Sequence, residues 1–279
     1  MSIESEVQSL YEAYPYPSRK KHSLKDIRDY PLWLVKLTGE SDPNFFRGKR
    51  VLEVGCGTGE LACGLALNGA IVDAIDLSSA SIARANALKQ QLKLDNVSFG
   101  QKSVFALEEL GTTKTDKPST QSLGTTTVVA GFDVVISLGV LHHTSDARKA
   151  FGVCARQLKP GGLLLVGLYS SFGRWRHRVK RLLVKLFAGN DVQKRLRVAS
   201  VLFFGGKMPK KGPIWLADKF GQPHESYHSI EEVERWCRQN HLVPVAWDPP
   251  LSKPSLALQL EWVLSRKNAF FCVGARKKV

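Results

Sequence analysis

The ten residues VLEVGCGTGE, Val51–Glu60, constrain the fold of this 279-residue chain more than any others. The apolar run VLEV has the character of a buried strand, and it breaks directly into Gly55, Gly57 and Gly59 before a helical pattern begins at Glu60. Glycine is needed at such a junction because the backbone must turn sharply while a ligand comes into contact with Cα. Twenty-one residues beyond Gly55, Asp76 closes a second apolar run, IVDAID. A carboxylate there can bridge the two hydroxyls of a ribose. Strand, glycine turn, helix and a second strand ending in an acid predict half of a parallel sheet that binds an adenosine-containing ligand. A nicotinamide dinucleotide and S-adenosylmethionine are both open at this point.

Downstream, short apolar runs alternate with helical periodicity, which predicts further βαβ units. Ser78 or Ser79 caps a helix over ASIARANALKQQL, with Ile82, Ala85, Leu88 and Leu92 on one face. NVSF and FDVVISL are the third and fourth strands. DARKAFGVCARQL is a helix with Phe151, Cys154 and Leu158 inward, closed by Lys159-Pro160-Gly161-Gly162, and LLLVGLY is the fifth strand. HSIEEVERWCRQN reads as a helix with a Ser229/Glu232 capping box and Ile230, Val233 and Trp236 at helical spacing. LVPVAW and AFFCVGARK close the sheet. Two stretches interrupt the order: GTTKTDKPSTQSLGTTT, expected to be a long mobile loop, and a basic segment after the fifth strand. The expected fold is α/β, a doubly wound, mostly parallel, seven-strand Rossmann-like sheet. Residues 1–48 would form an N-terminal cap, 49–170 the ligand-binding core, 171–227 an inserted basic helical lid and 228–279 the completion of the core.

The apolar fraction of 43% is ordinary for a globular chain. The acidic start MSIESEVQSL and the lack of a long apolar run predict neither secretion nor a membrane span. Five scattered cysteines without a CxxC pair suit a reducing cytosol and suggest no structural zinc. The formal net charge of +15 is unevenly spread. Between Ser171 and Lys211, twelve Lys and Arg face one acid, Asp191, so most of the excess belongs to that segment.

Glu53-x-Gly55-x-Gly57-x-Gly59, Asp76 followed by Leu-Ser, FDVVISLGVLHH and LKPGG stand in the order in which class I S-adenosylmethionine-dependent methyltransferases carry their motifs. Over residues 50–168 the chain resembles that family, closest to its quinone and other small-molecule branch. A dinucleotide dehydrogenase would more commonly show GxGxxG, whereas the third glycine here falls one residue early. The resemblance implies S-adenosylmethionine as cofactor. Gly55, Cys56, Gly57 and Gly59 would hold its methionine portion, with Glu53 orienting the loop or the amino group, and Asp76 and Leu77 at the ribose and adenine edge. Ser103 stands where the family often has an acid for the adenine amino group, and adenine contacts are assigned to Ser103 and Val104.

The ligand crevice of such a sheet lies at the carboxyl ends of its strands, so Leu138, Gly139, His142 and His143 should border the transferred methyl. Either histidine could accept a proton from the acceptor as catalytic base, or both could shape the pocket through hydrogen bonds. Two lids are candidates. YEAYPYPSR could fold Tyr11, Tyr14 and Tyr16 over the cofactor, or merely anchor the N-terminus. The leader and QPHESYHSIEEV together are similar to largely uncharacterised bacterial relatives of the family, a resemblance that assigns no substrate. It makes His224, Glu225 and His228 candidates for the acceptor pocket, against a plain helix-capping loop. The second lid is FGRWRHRVKRLLVKLF, where Trp175, Val179, Leu182 and Leu186 form one apolar stripe. It could lie on an anionic membrane surface, contact RNA, or pack its stripe on the core with its charges in water, and the packed lid is the leading expectation.

The expected function is methyl transfer to oxygen or carbon of a small or lipid-like acceptor, in the cytoplasm or peripherally at a membrane, with no stable protein partner. An RNA methyltransferase, acting on tRNA or rRNA held by residues 171–211, is the first rival, supported by the basic segment and opposed by SLGVLHH standing where many amino-methylating nucleic-acid enzymes carry [DNS]PP[YF]. A cofactor-binding scaffold without chemistry is the second.

Overall fold

The structure is a computed structural model that describes residues 2–15, 23–111, 121–123, 126–128, 131–265 and 268–279. Among the described residues nine strands form: β1 Arg50–Val54, β2 Ile71–Asp76, β3 Val97–Gln101, β4 Gln121–Leu123, β5 Thr126–Val128, β6 Phe132–Leu138, β7 Leu158–Tyr169, β8 Leu242–Asp248 and β9 Phe270–Lys277. Seven make one sheet in the order β3-β2-β1-β6-β7-β9-β8, parallel except at β9, which runs antiparallel to both neighbours. The expected fold class is the observed one. Within the expected loop before β6, β4 and β5 pair as a separate antiparallel ribbon, and most of the rest of that loop lies outside the described residues.

Ten α-helices accompany the strands: α1 Ile3–Ala13, α2 Leu24–Asp29, α3 Glu60–Leu67, α4 Ser79–Gln91, α5 Ala147–Arg156, α6 Trp175–Ala188, α7 Val192–Phe204, α8 Gly212–Leu216, α9 Ile230–Gln239 and α10 Ser255–Ser265. Alternate residues of the central strands feed two cores. Leu52, Val54, Val135 and Leu164 pack with α5, α9 and α10, while Val51, Val134, Ile136 and Leu165 pack with α3, α4 and the turn at Tyr30–Leu37. Because both faces are covered, the strands read as unbroken apolar runs instead of alternating ones. A third cluster joins Leu10 of α1 to Val184, Leu196, Leu216 and Phe220, so the N-terminal helix and the basic insert share one core.

Local chemistry explains the helix ends. Ser78 Oγ accepts from Ser81 N, and Asp146 from Lys149 N at 2.8 Å, each at an N-cap. The Ser229/Glu232 box forms by half: Ser229 Oγ accepts from Glu232 N at 3.2 Å, but the Glu232 carboxylate turns to His228 Nδ1 at 3.1 Å. The sequence reading had no element for α10. Its apolar residues lie on both sides, Leu258 and Trp262 buried and Leu256, Leu260 and Leu264 exposed, so no single stripe marks it as a helix in the sequence.

The packed-lid expectation for α6 fails. The helix forms, but Trp175, Val179, Leu182 and Leu186 face solvent, with Leu186 70% exposed, and only Val184 and Ala188 of the helix are buried. The inward positions are Arg174, His177 and Arg181, and His177 Nε2 lies 3.1 Å from the Lys219 carbonyl. Placing that polar face inward rotates the leucines out.

Candidate active site

At the centre of the sheet the chain runs outward from β1 to β3 on one side and resumes at β6 on the other, so β1 and β6 form a topological switch point. A cavity of about 480 Å³ opens at their carboxyl ends. Gly55 follows β1 at φ +80°, and a Cβ placed on it would lie 2.2 Å from Cγ2 of Val140, which follows β6. The two loops therefore meet at a position only glycine can occupy. Gly57 N donates to Asp76 Oδ2 at 2.8 Å, and Ser78 N to Asp76 Oδ1 at 2.9 Å. Asp76 thus pins the glycine loop to the end of β2. Burial raises its carboxyl pKa, and those backbone donors oppose the shift.

Glu53, Gly55, Cys56, Gly57, Asp76, Leu77, Ser103, Val104, Leu138 and Gly139 all line this cavity. Gly59 does not. It sits at φ +86° at the start of α3, where a Cβ would lie 2.8 Å from Ala85 Cβ and 3.0 Å from Phe99, so its role is helix packing. Glu53 is 5% exposed and its Oε2 has no hydrogen-bond partner. Burial, with Asp76 and Glu60 nearby, pushes its carboxyl well above the usual range. An uncompensated buried carboxyl beside a second acid is poised to receive a cation.

The opposite end is basic. Arg174 lines the cavity, its guanidinium lies 3.4 Å from the centre of the Tyr169 ring, and its Nε donates to Glu225 Oε1 at 2.5 Å. Arg181 approaches the other Glu225 oxygen at 3.1 Å and donates to the Lys219 and Gln222 carbonyls. One buried guanidinium, Arg174, and one partly buried one, Arg181, share the Glu225 carboxylate. Burial works against the Glu225 charge, but Arg181 and Arg174 outweigh it and hold its pKa below the usual range.

Between the ends stands His143. Its Nδ1 lies 3.0 Å from the His224 carbonyl, which can only accept, so Nδ1 carries the proton. The ring is neutral because burial lowers its pKa. Nε2 is then a lone-pair acceptor, and it has no partner. His142 is placed differently. It is fully buried, stacks on Tyr169 at 3.7 Å and does not line the cavity.

Helix α1 crosses over the crevice. Glu12 accepts from Ser79 N and Ala80 N at the start of α4, while Glu4 accepts from Ser145 Oγ just before α5. Tyr11 lines the cavity, and its hydroxyl lies 2.6 Å from Gln222 Nε2. Tyr14 is outside the cavity and accepts from Gln193, and Tyr16 lies outside the described residues. Trp175 is also away from the cavity. The side chain of His224 does not line it, and Glu225 acts through its two arginines.

Sequence reasoning missed Tyr169, Arg174 and the wall formed by Tyr30, Trp33 and Phe270. Arg174, His177, Arg181, Val184 and Ala188 do recur at helical spacing, a signal hidden because the leucine stripe was the more conspicuous face.

A family model described as Methyltransferase domain matches residues 45–201, more than half of the chain. An uncharacterized protein of Synechococcus sp. is 26% identical over 268 residues, covering 86% of this chain and 59% of that protein. The ubiquinone biosynthesis O-methyltransferase of Alkalilimnicola ehrlichii is 39% identical over 117 residues, 41% of this chain and 39% of that protein. The chain thus spans less than two thirds of the length of these curated relatives. The solved magnesium protoporphyrin IX methyltransferase of Synechocystis PCC 6803, with bound S-adenosylhomocysteine, superposes with a TM-score of 0.59 at 14% identity. It covers 99% of this chain and 100% of that one, a likeness of fold.

Proposed function

The chain belongs to the class I S-adenosylmethionine-dependent methyltransferases, and on that premise we propose that its cavity carries methyl transfer to oxygen or carbon of a small or lipid-like acceptor. One observation carries the reading. A single cavity is bounded by Glu53, Gly55, Gly57 and Asp76 at one end and by His143, Tyr169 and Arg174 at the other, beneath α1.

The residues at the acidic end fit the cofactor. The loop at Gly55 leaves no space for a side chain, so backbone can touch a ligand there, and Asp76 and Glu53, whose Oε2 has no hydrogen-bond partner, supply carboxyl groups for its hydroxyl and ammonium groups. When bound, the cofactor supplies a methyl already activated on a positively charged sulfur. The chain then needs mainly to position, to exclude water and to take one proton. Tyr11, Trp33 and Phe270 give the enclosing apolar wall. His143 Nε2 takes the proton of a hydroxyl acceptor, and its Nδ1–H stays held by the His224 carbonyl. Arg174 orients an acceptor oxygen bearing negative charge. His142 supports Tyr169 from behind.

Calorimetry tests the site. S-adenosylmethionine should bind the parent protein, and Asp76→Ala should weaken it at least about tenfold, the loss of a charge-assisted hydrogen bond. Equal affinity in both would overturn the assignment.

A further inference from the structure

The outer side of the insert carries an apolar surface that no part of the described structure covers. On α6, Trp175, Val179, Leu182, Leu183, Leu186 and Phe187 are exposed, Phe187 at 72%. On α10, Leu256, Leu260 and Leu264 form a second exposed stripe at i, i+4 and i+8, Leu264 at 82%. The helices meet where Trp175 Nε1 donates to the Val263 carbonyl at 3.4 Å. Soluble surfaces rarely gather large aliphatic side chains in this way unless something binds them.

We infer that α6 and α10 dock the protein on the surface of an anionic lipid bilayer. Charge complementarity selects this occupant. Arg176, Arg178, Lys180 and Lys185 are exposed on α6, interleaved with the leucines, and α6 contains no acid. On α10 the one acid, Glu261, is neutralised by Lys253 at 2.9 Å. A helix with an aliphatic face flanked by cations lies in the headgroup plane, with leucine and phenylalanine among the acyl chains and the ammonium and guanidinium groups at phosphates. Among the described residues no helix is long and apolar enough to cross a membrane, so the contact is superficial.

Two other occupants fit less well. A symmetric contact with a second copy would set the cationic rows of α6 against themselves. RNA would use the cations, but bases stack on aromatic rings, and leucine side chains have no counterpart in a nucleic acid.

The orientation of α6 is locked from inside. Arg174 and Arg181 bond Glu225 and loop carbonyls, so the helix cannot roll its leucines inward without breaking buried ion pairs. Because Arg174 also lines the cavity, the helix that would touch lipid is the one that walls the site. This inference does not depend on the chemistry of that site.

Sedimentation with vesicles tests it, using phosphatidylcholine alone and phosphatidylcholine mixed with phosphatidylglycerol, at low and high salt. The protein should pellet with the anionic vesicles and not with the neutral ones. The triple variant Leu182→Ser, Leu186→Ser, Phe187→Ser should lose at least about tenfold in partitioning at every salt concentration. Arg176→Gln with Arg178→Gln and Lys180→Gln should lose affinity mainly at low salt, where the charges are least screened. Both variants change exposed side chains and should keep the parent's thermal stability and S-adenosylmethionine affinity. Absence of binding to anionic vesicles would overturn the inference, as would full binding by the triple variant. A concentration-dependent dimer abolished by the triple variant, in a protein that does not bind the vesicles, would overturn it too.

Discussion

Gly55 lies so close to Val140 that a single added methyl would stand 2.2 Å from the valine Cγ2. The contact joins the loops leaving β1 and β6 where both line the cavity. Gly55→Ala therefore has two costs, a left-handed backbone at φ +80° and a steric clash, together about 3–5 kcal/mol. Gly139→Ala shares the backbone cost at φ +78° but meets only Phe270 at 4.0 Å, so about 1–2 kcal/mol is expected. Thermal unfolding of both variants should rank them in that order. Equal losses would mean that the close approach is not what the glycine serves.

The pair of guanidiniums on the buried Glu225 carboxylate gives the second expectation. The side chains of Arg174 and Glu225 are 3% and 1% exposed, so solvent cannot replace the lost charge. Glu225→Gln should destabilise by about 3 kcal/mol, because it leaves a buried cation, Arg174, and a partly buried one, Arg181, with only a dipole. In a chain of this size that lowers Tm by roughly 6–12 °C. If the variant unfolds near the parent temperature, Glu225 is not the counter-ion of the insert.

The pH dependence follows from the depressed histidines. Burial lowers the pKa of His143, so its ring stays neutral and able to accept a proton at pH values where an ordinary histidine would be charged. The acid limb of kcat should therefore fall below the ordinary value of about 6.5, and His143→Gln should remove it while leaving cofactor affinity in place. A limb at or above that value would assign the proton to another group.

Stability has the same sign. Between their lowered folded pKa and about 6.5, His142 and His143 are protonated when unfolded but not when folded, so stability falls as pH drops below about 6.5, by at most about 1.4 kcal/mol per unit for each ring. Denaturant midpoints between neutral and mildly acidic pH measure this. His142→Phe should flatten the slope, since phenylalanine keeps a ring against Tyr169 and has no proton to gain.

The amino-acid order alone determined the sheet, the glycine loop and the acid at the end of β2. Those features depend on short-range requirements: a strand buried on both faces must be apolar throughout, and a tight turn under a ligand must be glycine. Gly55 and Gly59 look alike in the sequence, yet one touches the cavity and the other packs α3 on Ala85, because the distinction depends on which distant residues arrive beside each. His142 and His143 are likewise adjacent and equivalent on paper. Only the turn after β6 sends one ring to Tyr169 and the other to the cavity.

The insert shows the same division most sharply. Its sequence establishes an amphipathic helix with a leucine stripe and many cations, and hydrophobicity alone would bury the stripe. Tertiary structure decided otherwise, because Glu225 and the carbonyls of Lys219 and Gln222 are placed to receive Arg174, His177 and Arg181, and a helix can present only one face to the body it packs on. Buried ion pairs formed with partners some forty to fifty residues away thus set the rotation of α6, and the leucines were left facing outward.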